Sequence, residues 1–359
     1  MTEAGPASPQ AAPPAARSER SWGKFLLALL ALLLLPAIPQ MRALLPVEQT
    51  TLLLVPAIAA CALVGWWAGG SLVAAIAWVG LAVLVTVSPA PGVGPFRDLA
   101  RGWGLLVAGS FGLVCLFGTD RPFLSRALTA LVIAMVLAVM MGGLGAVGGG
   151  DVHEAVSAEL ARRNAAWSAT VQDFIMRYPD QWGQVTERMP QAAEFPAESE
   201  RQLATLSRGG AVLFPALLSL ESLAALAVAW AAYHRIGRTR LGAPLAPLKE
   251  FRFNDQLVWG LIVGLVLVVL PTLAMYRAVG GNLLVFFGAL YAVRGLGVLA
   301  WFLAPGALTI AVSIGFAMLW WPVLNVIAVL GFMILLVASF GLGLGDTWAD
   351  WRSRARPTT

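Results

Sequence analysis

Ten long apolar stretches separated by short polar loops dominate this chain of 359 residues. Most of them approach the roughly 20 apolar residues with which a helix crosses the hydrocarbon core of a bilayer. Because lipid tolerates neither irregular backbone nor open sheet edges, such a chain folds as a bundle of helices. The stretches lie at 25–39, 50–69, 71–87, 102–118, 124–147, 211–234, 256–276, 281–303, 306–320 and 322–342.

The predicted fold is therefore an all-α, polytopic transmembrane helical bundle of about ten helices with a helical extramembrane insertion. Nine helices is the alternative count, because only Trp320, Trp321 and Pro322 separate the last two stretches. Those two stretches could form one kinked helix and a re-entrant piece.

Composition excludes several other classes of protein. Charged residues make up 12% of the chain and its mean hydropathy is +0.78. The share of charged residues is about half that of an ordinary soluble domain. A soluble globular enzyme, a disordered protein and a nucleic-acid binder are excluded on this basis. Cys61 and Cys115 each lie inside an apolar stretch, so no disulfide framework is expected.

The placement of charge predicts the orientation of the chain. Residues 151–210 carry nine acidic and six basic side chains, whereas residues 235–255 carry five basic and two acidic ones. Basic loops stay on the cytoplasmic side of a membrane. Both termini and 235–255 are therefore predicted to be cytoplasmic. Only two of the 24 basic residues are Lys, which is typical of a GC-rich bacterium, so the predicted location is the bacterial cytoplasmic (inner) membrane.

The same pattern divides the chain into five parts. They are a disordered N-terminal tail (1–24), N-terminal membrane helices (25–147), an extracytoplasmic helical insertion (151–210), C-terminal membrane helices (211–345) and a basic cytoplasmic tail (346–359).

Within the insertion, apolar residues recur near helical spacing and predict a helix over 152–178. The repeating residues are Val152, Val156, Leu160, Trp167, Val171, Phe174 and Tyr178. We expect this stripe to pack on the membrane domain or on the bilayer surface. The insertion is then either a lid or partner-binding hairpin, or a connector whose stripe packs on the membrane domain.

Catalytic motifs are not found. The sequence contains no GxxxxGK[ST] phosphate loop, no GxSxG nucleophile elbow and no pair of zinc-binding histidines. Gly343-Leu344-Gly345-Asp346 matches the GxGD pattern of intramembrane aspartyl proteases, but that chemistry needs a second aspartate at membrane depth. No apolar stretch supplies one, so Asp346 is predicted to be a capping or surface carboxylate. We expect no catalytic residue, no metal and no cofactor, so the protein is predicted not to be an enzyme.

Two ionisable residues, Glu221 and Arg294, lie deep within apolar stretches. An unpaired charge there costs at least about 2.5–3.5 kcal/mol, so such residues pair or line a polar cavity. We expect the two side chains to meet near the membrane midplane. Tyr291 lies one turn from Arg294, and Asn282 opens the same predicted helix. These four residues are either a ligand or ion site or a structural ion pair that locks two helices.

Three segments resemble the YybS-like family of predicted bacterial membrane proteins, whose domain has no known function. They are FRFNDQLVWGLIVGLVLVVL, NLLVFFGALYAVRGLGVLAWFL and GLGLGDTWADWRSR, within 211–356. Arg294 stands where the family usually has glutamine. The shared residues are Phe251, Phe253, Trp259, Asn282, Tyr291, Gly295, Leu296, Asp346, Asp350 and Arg352.

The YybS-like family is distantly similar to the substrate-binding S components of energy-coupling-factor vitamin transporters. That similarity implies small-molecule uptake through an outward-facing pocket under a loop, with energy from a separate partner. The predicted function is therefore small-molecule binding or transport, and the alternative is a structural or assembly membrane protein without a substrate. The expected partners are the lipid bilayer, a small-molecule ligand and an energising or assembly protein, but no nucleic acid.

Overall fold

The computed structural model describes residues 22–88, 95–118, 121–145, 152–237, 239, 241–303, 306–318, 322–349 and 351. This part of the chain forms fourteen α-helices and no strand, so the predicted all-α fold is confirmed. The helices are α1 (Trp22–Leu34), α2 (Pro39–Leu44), α3 (Thr51–Trp67), α4 (Leu72–Val87), α5 (Pro95–Phe117), α6 (Phe123–Gly145), α7 (Val152–Arg177), α8 (Pro179–Arg188), α9 (Phe195–Val212), α10 (Phe214–Ile236), α11 (Val258–Val269), α12 (Arg277–Phe302), α13 (Ala307–Met318) and α14 (Pro322–Ala349).

Ten apolar helical segments in the described ranges match the ten predicted stretches in order. Five are long and apolar enough to cross a membrane, namely Phe96–Phe117, Phe123–Met141, Phe214–Ile236, Pro271–Phe302 and Ile327–Ala349. The shorter ones include α13, whose 12 described residues extend about 18 Å at 1.5 Å per residue. That is less than the roughly 30 Å of a hydrocarbon core, so the choice between nine and ten spans depends on α13.

Proline explains where several helices begin and end. α1 ends at Leu34, directly before a 3₁₀ turn that contains Pro36, and α2 begins at Pro39. α11 ends at Val269 because Leu270 precedes Pro271 and is extended, with φ −75° and ψ 120°. A 3₁₀ turn over Pro271–Tyr276 then leads directly into α12. This helix therefore begins at Arg277, not at Asn282 as the sequence predicted.

The largest buried core joins α3, α5, α6 and α10. At its centre the indole of Trp230 is fully buried, and its ring lies 5.9 Å from that of Phe111 and 6.0 Å from that of Phe123. Cys61 and Cys115 are both free and buried in the same core. α10 thus packs at the centre of the N-terminal membrane helices and also contacts α12.

Close contact between α12 and α14 depends on glycine. A Cβ atom at Gly295 would collide with the backbone carbonyl of Ser339, and one at Gly343 would collide with that of Tyr291. The backbone of α14 therefore fills the space beside Gly295. This is the small-residue packing that lets membrane helices approach closely.

The insertion consists of α7, α8 and α9, and its predicted helix is confirmed. The apolar stripe packs on the membrane domain over only part of its length. Val156 and Leu160 are buried against the membrane domain, whereas Phe174 and Tyr178 are 48% and 42% exposed.

The boundaries of both terminal tails differ from the prediction. Residues 1–21 and 352–359 lie outside the described residues, and residues 22–24 already belong to α1. At the other end α14 continues to Ala349, past the predicted boundary at residue 345. Asp346 is therefore part of a helix rather than of the tail.

Candidate functional site: two buried polar networks

The structure does not bring Glu221 and Arg294 together, so their predicted pairing is wrong. Ala216 of α10 is hydrogen-bonded to Asn282 of α12, which aligns the two helices. Glu221 lies five residues beyond Ala216, whereas Arg294 lies twelve residues beyond Asn282. The resulting offset of seven residues is roughly 10 Å along the helix axes, too far for direct contact. Each charge instead belongs to its own network.

The first network, which we call the loop-end network, comprises Arg294, Asp255, Asp346, Phe253 and Tyr291. Nε of Arg294 donates to Oδ2 of Asp346 at 3.0 Å and Nη1 donates to Oδ1 of Asp255 at 2.6 Å. Asp346 is 1% exposed, so its prediction as a surface carboxylate is wrong. The side chain of Asp255, by contrast, is 58% exposed. The network therefore joins α12 and α14 to the polar segment that precedes α11.

The ring of Phe253 and the side chain of Tyr291 lie close to this guanidinium. The ring of Phe253 lies 5.4 Å from Cζ of Arg294 and 5.0 Å from the ring of Tyr291. The hydroxyls of Tyr291 and Ser339 are buried and have no hydrogen-bond partner within the described ranges. The hydroxyl of Thr347 lies near that of Tyr291, but not in hydrogen-bond geometry. This packing is dense and fixes the arginine.

The second network, which we call the insertion-end network, comprises Glu221, Val47, Glu48, Glu159, Arg162 and Arg163. Glu221 is 5% exposed, and its Oε2 accepts a hydrogen bond from the backbone N–H of Val47 at 2.9 Å. Val47 belongs to the loop between α2 and α3. One residue along α10, Oγ of Ser222 accepts a hydrogen bond from the indole of Trp103 at 2.8 Å.

Arg163 of α7 holds the same loop from the other side. Its Nη1 donates to the carbonyls of Leu45, at 2.7 Å, and Arg42, at 3.4 Å, while Nη2 donates to that of Pro46 at 3.2 Å. Its Nε donates to Glu159 at 2.9 Å. The side chain is only 2% exposed. Residues 45–48 are therefore fixed between the insertion and Glu221.

Sequence reasoning missed this arginine, although a signal was present. Glu159 and Arg163 are four residues apart, the spacing at which opposite charges pair on a helix. They also share the face that carries Val156 and Leu160, the two buried residues of the stripe. A charged pair on the apolar face of a helix indicates a buried network.

Electrostatics stabilise the carboxylate form of Glu159. Burial alone would raise the pKa of Glu159, but hydrogen bonds from Arg162 and Arg163 outweigh burial and lower the pKa below its ordinary value of 4.5. The hydrogen bond to Glu159 correspondingly raises the pKa of Arg162. A group whose pKa is lowered by folding stabilises the folded state above its unfolded pKa.

This shift predicts how pH affects the insertion. The difference in thermal stability between the wild-type protein and Glu159→Gln should be largest above about pH 5 and should shrink as the pH falls below about 4. Melting of both proteins in detergent between pH 7 and pH 3 measures it. A difference that stays constant over this range would contradict the proposed ion pairing.

Asn282 of α12 is hydrogen-bonded through its side chain to the backbone around the start of α10. Its side-chain amide donates to the carbonyls of Val212, at 2.9 Å, and Ala278, at 2.8 Å, and its carbonyl oxygen accepts from the N–H of Ala216. Leu213, which lies between α9 and α10, interrupts regular helix at this point. Asn282 thus satisfies backbone groups that the interruption leaves without helical partners.

Neither network resembles a metal centre. Within the described ranges no group of three His, Cys, Asp or Glu side chains is placed to hold a metal ion. A cavity of about 230 Å³ lies between α3, α4 and the end of α10, and neither Glu221 nor Arg294 lines it. Trp66, Trp78 and Tyr233 form much of its wall.

Large apolar side chains cover the outside of the bundle. On α4, for example, Val73, Ile76, Leu84 and Val87 are 62–77% exposed. Together with five helices that are long and apolar enough to cross a membrane, continuous apolar surface of this kind marks an exterior that faces lipid. The fold therefore defines a helical membrane protein.

The chain belongs to the family described as predicted membrane protein DUF2232, whose model matches residues 155–335. The match contains most of the insertion, α10 to α13 and both Glu221 and Arg294. Comparison with curated proteins and with solved structures finds no match.

Proposed function

We propose that this protein is the solute-binding membrane component of a small-molecule uptake system in the bacterial cytoplasmic membrane. One observation carries the proposal: the extramembrane insertion uses a buried ion-pair network to hold a loop directly over an intramembrane carboxylate. A loop that covers a buried polar group can open to admit a solute and close to separate it from water.

The sequence resemblance points the same way. The YybS-like family and the S components that it resembles suggest an outward-facing pocket under a loop, which is the position of Glu221 beneath residues 45–48. The sequence carries no nucleotide-binding motif, so we propose that a separate membrane partner supplies energy for uptake.

The proposal is tested by identifying the small molecules that accompany the purified protein. Metabolites extracted from the wild-type chain are compared by mass spectrometry with those extracted from Arg163→Gln, in which the loop loses its main anchor. We expect a defined solute to be enriched in the wild-type sample and at least tenfold depleted in the variant. Equal metabolite profiles from the two folded proteins would contradict solute binding at this end.

A structural or assembly role is the second candidate. It is favoured by the loop-end network, in which Arg294 is densely packed and bound to two carboxylates. If this role is correct, purification yields no specific solute, and loss of the protein disturbs the assembly of a membrane complex instead.

We also propose an orientation in which both termini and residues 235–255 are cytoplasmic and the insertion is outside. A cysteine introduced at Gln181, on the insertion, should react with a membrane-impermeant maleimide in intact cells. One introduced at Glu250 should react only after lysis. The native cysteines are both buried and give little background. Labelling in the opposite sense would overturn the orientation.

A further inference from the structure

The cavity between α3, α4 and the end of α10 has a volume of about 230 Å³ and belongs to neither polar network. Small residues line it on both of the first two helices, Ala62 and Gly65 on α3 and Ala74 on α4, so their side chains leave this volume unfilled. An apolar cavity of roughly 150 Å³ already binds benzene in an engineered protein. The cavity is therefore large enough to hold a sizeable apolar group.

Three hydroxyl groups line the cavity, and each is hydrogen-bonded within the protein. The hydroxyl of Tyr233 donates to the carbonyl of Thr239 at 2.8 Å, and that of Thr239 donates to the carbonyl of Gly65 at 3.3 Å. Oγ of Ser71 accepts the N–H of Ala74 at 3.3 Å. A polar solute would lose its water and find these groups already engaged, which is unfavourable. The cavity therefore favours an apolar occupant.

The floor of the cavity is buried, whereas its rim is exposed. Ala62 lies on the buried floor, and the side chains of Trp66 and Ile236 are exposed at the rim. Ala74, also at the rim, is the chain neighbour of Val73, which belongs to the apolar outer surface of α4. The rim is thus continuous with the surface that faces lipid.

The N-terminal tail is poorly suited to fill this cavity. Residues 1–21 are the longest stretch outside the described ranges, and they contain no aromatic residue, leucine, isoleucine or valine. Void space forfeits dispersion contacts with the walls around it, so apolar material that reaches an apolar cavity fills it. The apolar material at this rim is the bilayer itself.

We propose that this cavity binds the hydrocarbon chain of a bilayer lipid. The chain enters from the rim and packs on the rings of Trp66, Trp78 and Tyr233, which form much of the wall. Because Thr239 lines the same cavity, a bound chain also supports the start of the 235–255 segment. The site is independent of the solute-binding function proposed above, since α10 begins at the insertion and the cavity lies at its other end.

The test places the full chain in lipid nanodiscs with a phosphatidylcholine that carries a diazirine in one acyl chain. Irradiation releases N₂ and leaves a carbene, which inserts into the groups that it touches, and mass spectrometry of peptides locates the label. We expect label on Ile58 and Ala62, because these buried residues of the cavity cannot contact lipid on the outer surface. Label on Ile76, which is exposed on α4, reports ordinary lipid contact and serves as the internal standard.

Phenylalanine at Ala74 is expected to fill the cavity from its rim. Label on Ile58 and Ala62 should then fall about fivefold or more relative to label on Ile76, because a close-packed ring excludes the chain. Ala77→Phe is the matched control, since Ala77 is an exposed alanine of the same helix that does not line the cavity. It should leave the label on the floor unchanged. If Ala74→Phe does not fold, the label on the floor of the wild-type cavity decides the question.

Label confined to outward-facing residues such as Ile76 would overturn the proposal, and so would label on the floor that persists at full strength in folded Ala74→Phe. Label that reaches the floor only after residues 1–21 are deleted would show that the N-terminal tail is the occupant, and would overturn it as well. None of these outcomes bears on solute binding at Glu221, which the extraction experiment tests separately.

Discussion

Replacing Arg294 with glutamine is expected to destabilise the membrane bundle by about 3–5 kcal/mol, the usual cost of breaking a buried ion pair. The carboxylate of Asp346 is fully buried and would lose the charge to which it is bound. Asp346→Asn should cost a similar amount, because the guanidinium of Arg294 would then lose its buried carboxylate. Thermal or denaturant unfolding in detergent measures both effects.

Two controls distinguish this network from a general loss of stability. Asp255→Asn should cost only about 0–1 kcal/mol, because its carboxylate is more than half exposed. The double variant Arg294→Gln with Asp346→Asn should recover part of the loss. Arg294→Gln combined with Glu221→Gln should instead give additive losses, since the two residues share no contact. If stability recovered in that last combination, the result would support the predicted Glu221–Arg294 pair and contradict the structure.

Alanine at Gly295 is expected to separate α12 from α14 at a cost of about 2–3 kcal/mol, the range for overpacking in a close contact. The new Cβ atom would collide with the backbone of Ser339, which no side-chain rotation can relieve. Gly343→Ala should have the same effect against Tyr291. Unfolding in detergent, together with the yield of folded protein, provides the measurement.

Gly341→Ala is the matched control in the same helix, because open space surrounds a Cβ atom at that position. Alanine is favoured over glycine in a helix by about 0.5–1 kcal/mol, so this variant should be neutral or slightly more stable. If Gly295→Ala were as stable as Gly341→Ala, the close approach of α12 and α14 would be incorrect.

The fold could be predicted from the sequence because, in a membrane protein, stretches of high hydropathy mark the helices that lie in lipid. The ten apolar stretches correspond in order to ten apolar helices, and the helical insertion lies where charge accumulates. Helix ends were less predictable. Residues 271–276 are apolar like their neighbours, so only Pro271 marks the change from α-helix to 3₁₀ turn.

The polar networks were only partly predictable. Glu221 and Arg294 stood out as charges among apolar residues, but their partners did not. The partner of Glu221 is a backbone N–H, which the side chain of Val47 does not reveal. The buried partner of Arg294 is an aspartate near the end of α14, where a buried and an exposed carboxylate have the same sequence signature. Long-range partners of this kind depend on helix register, which hydropathy does not specify.

A solute that binds beneath the loop held by the insertion is expected to contact Glu221, whose Oε1 has no hydrogen-bond partner among the described residues. An experimental density map of the purified chain in lipid nanodiscs tests it most directly. We expect non-protein density within hydrogen-bond distance of Oε1 of Glu221, between α10 and residues 45–48, and its absence in Glu221→Gln. A tightly packed interior in which a protein group occupies the hydrogen-bonding position of Oε1 would contradict solute binding at Glu221.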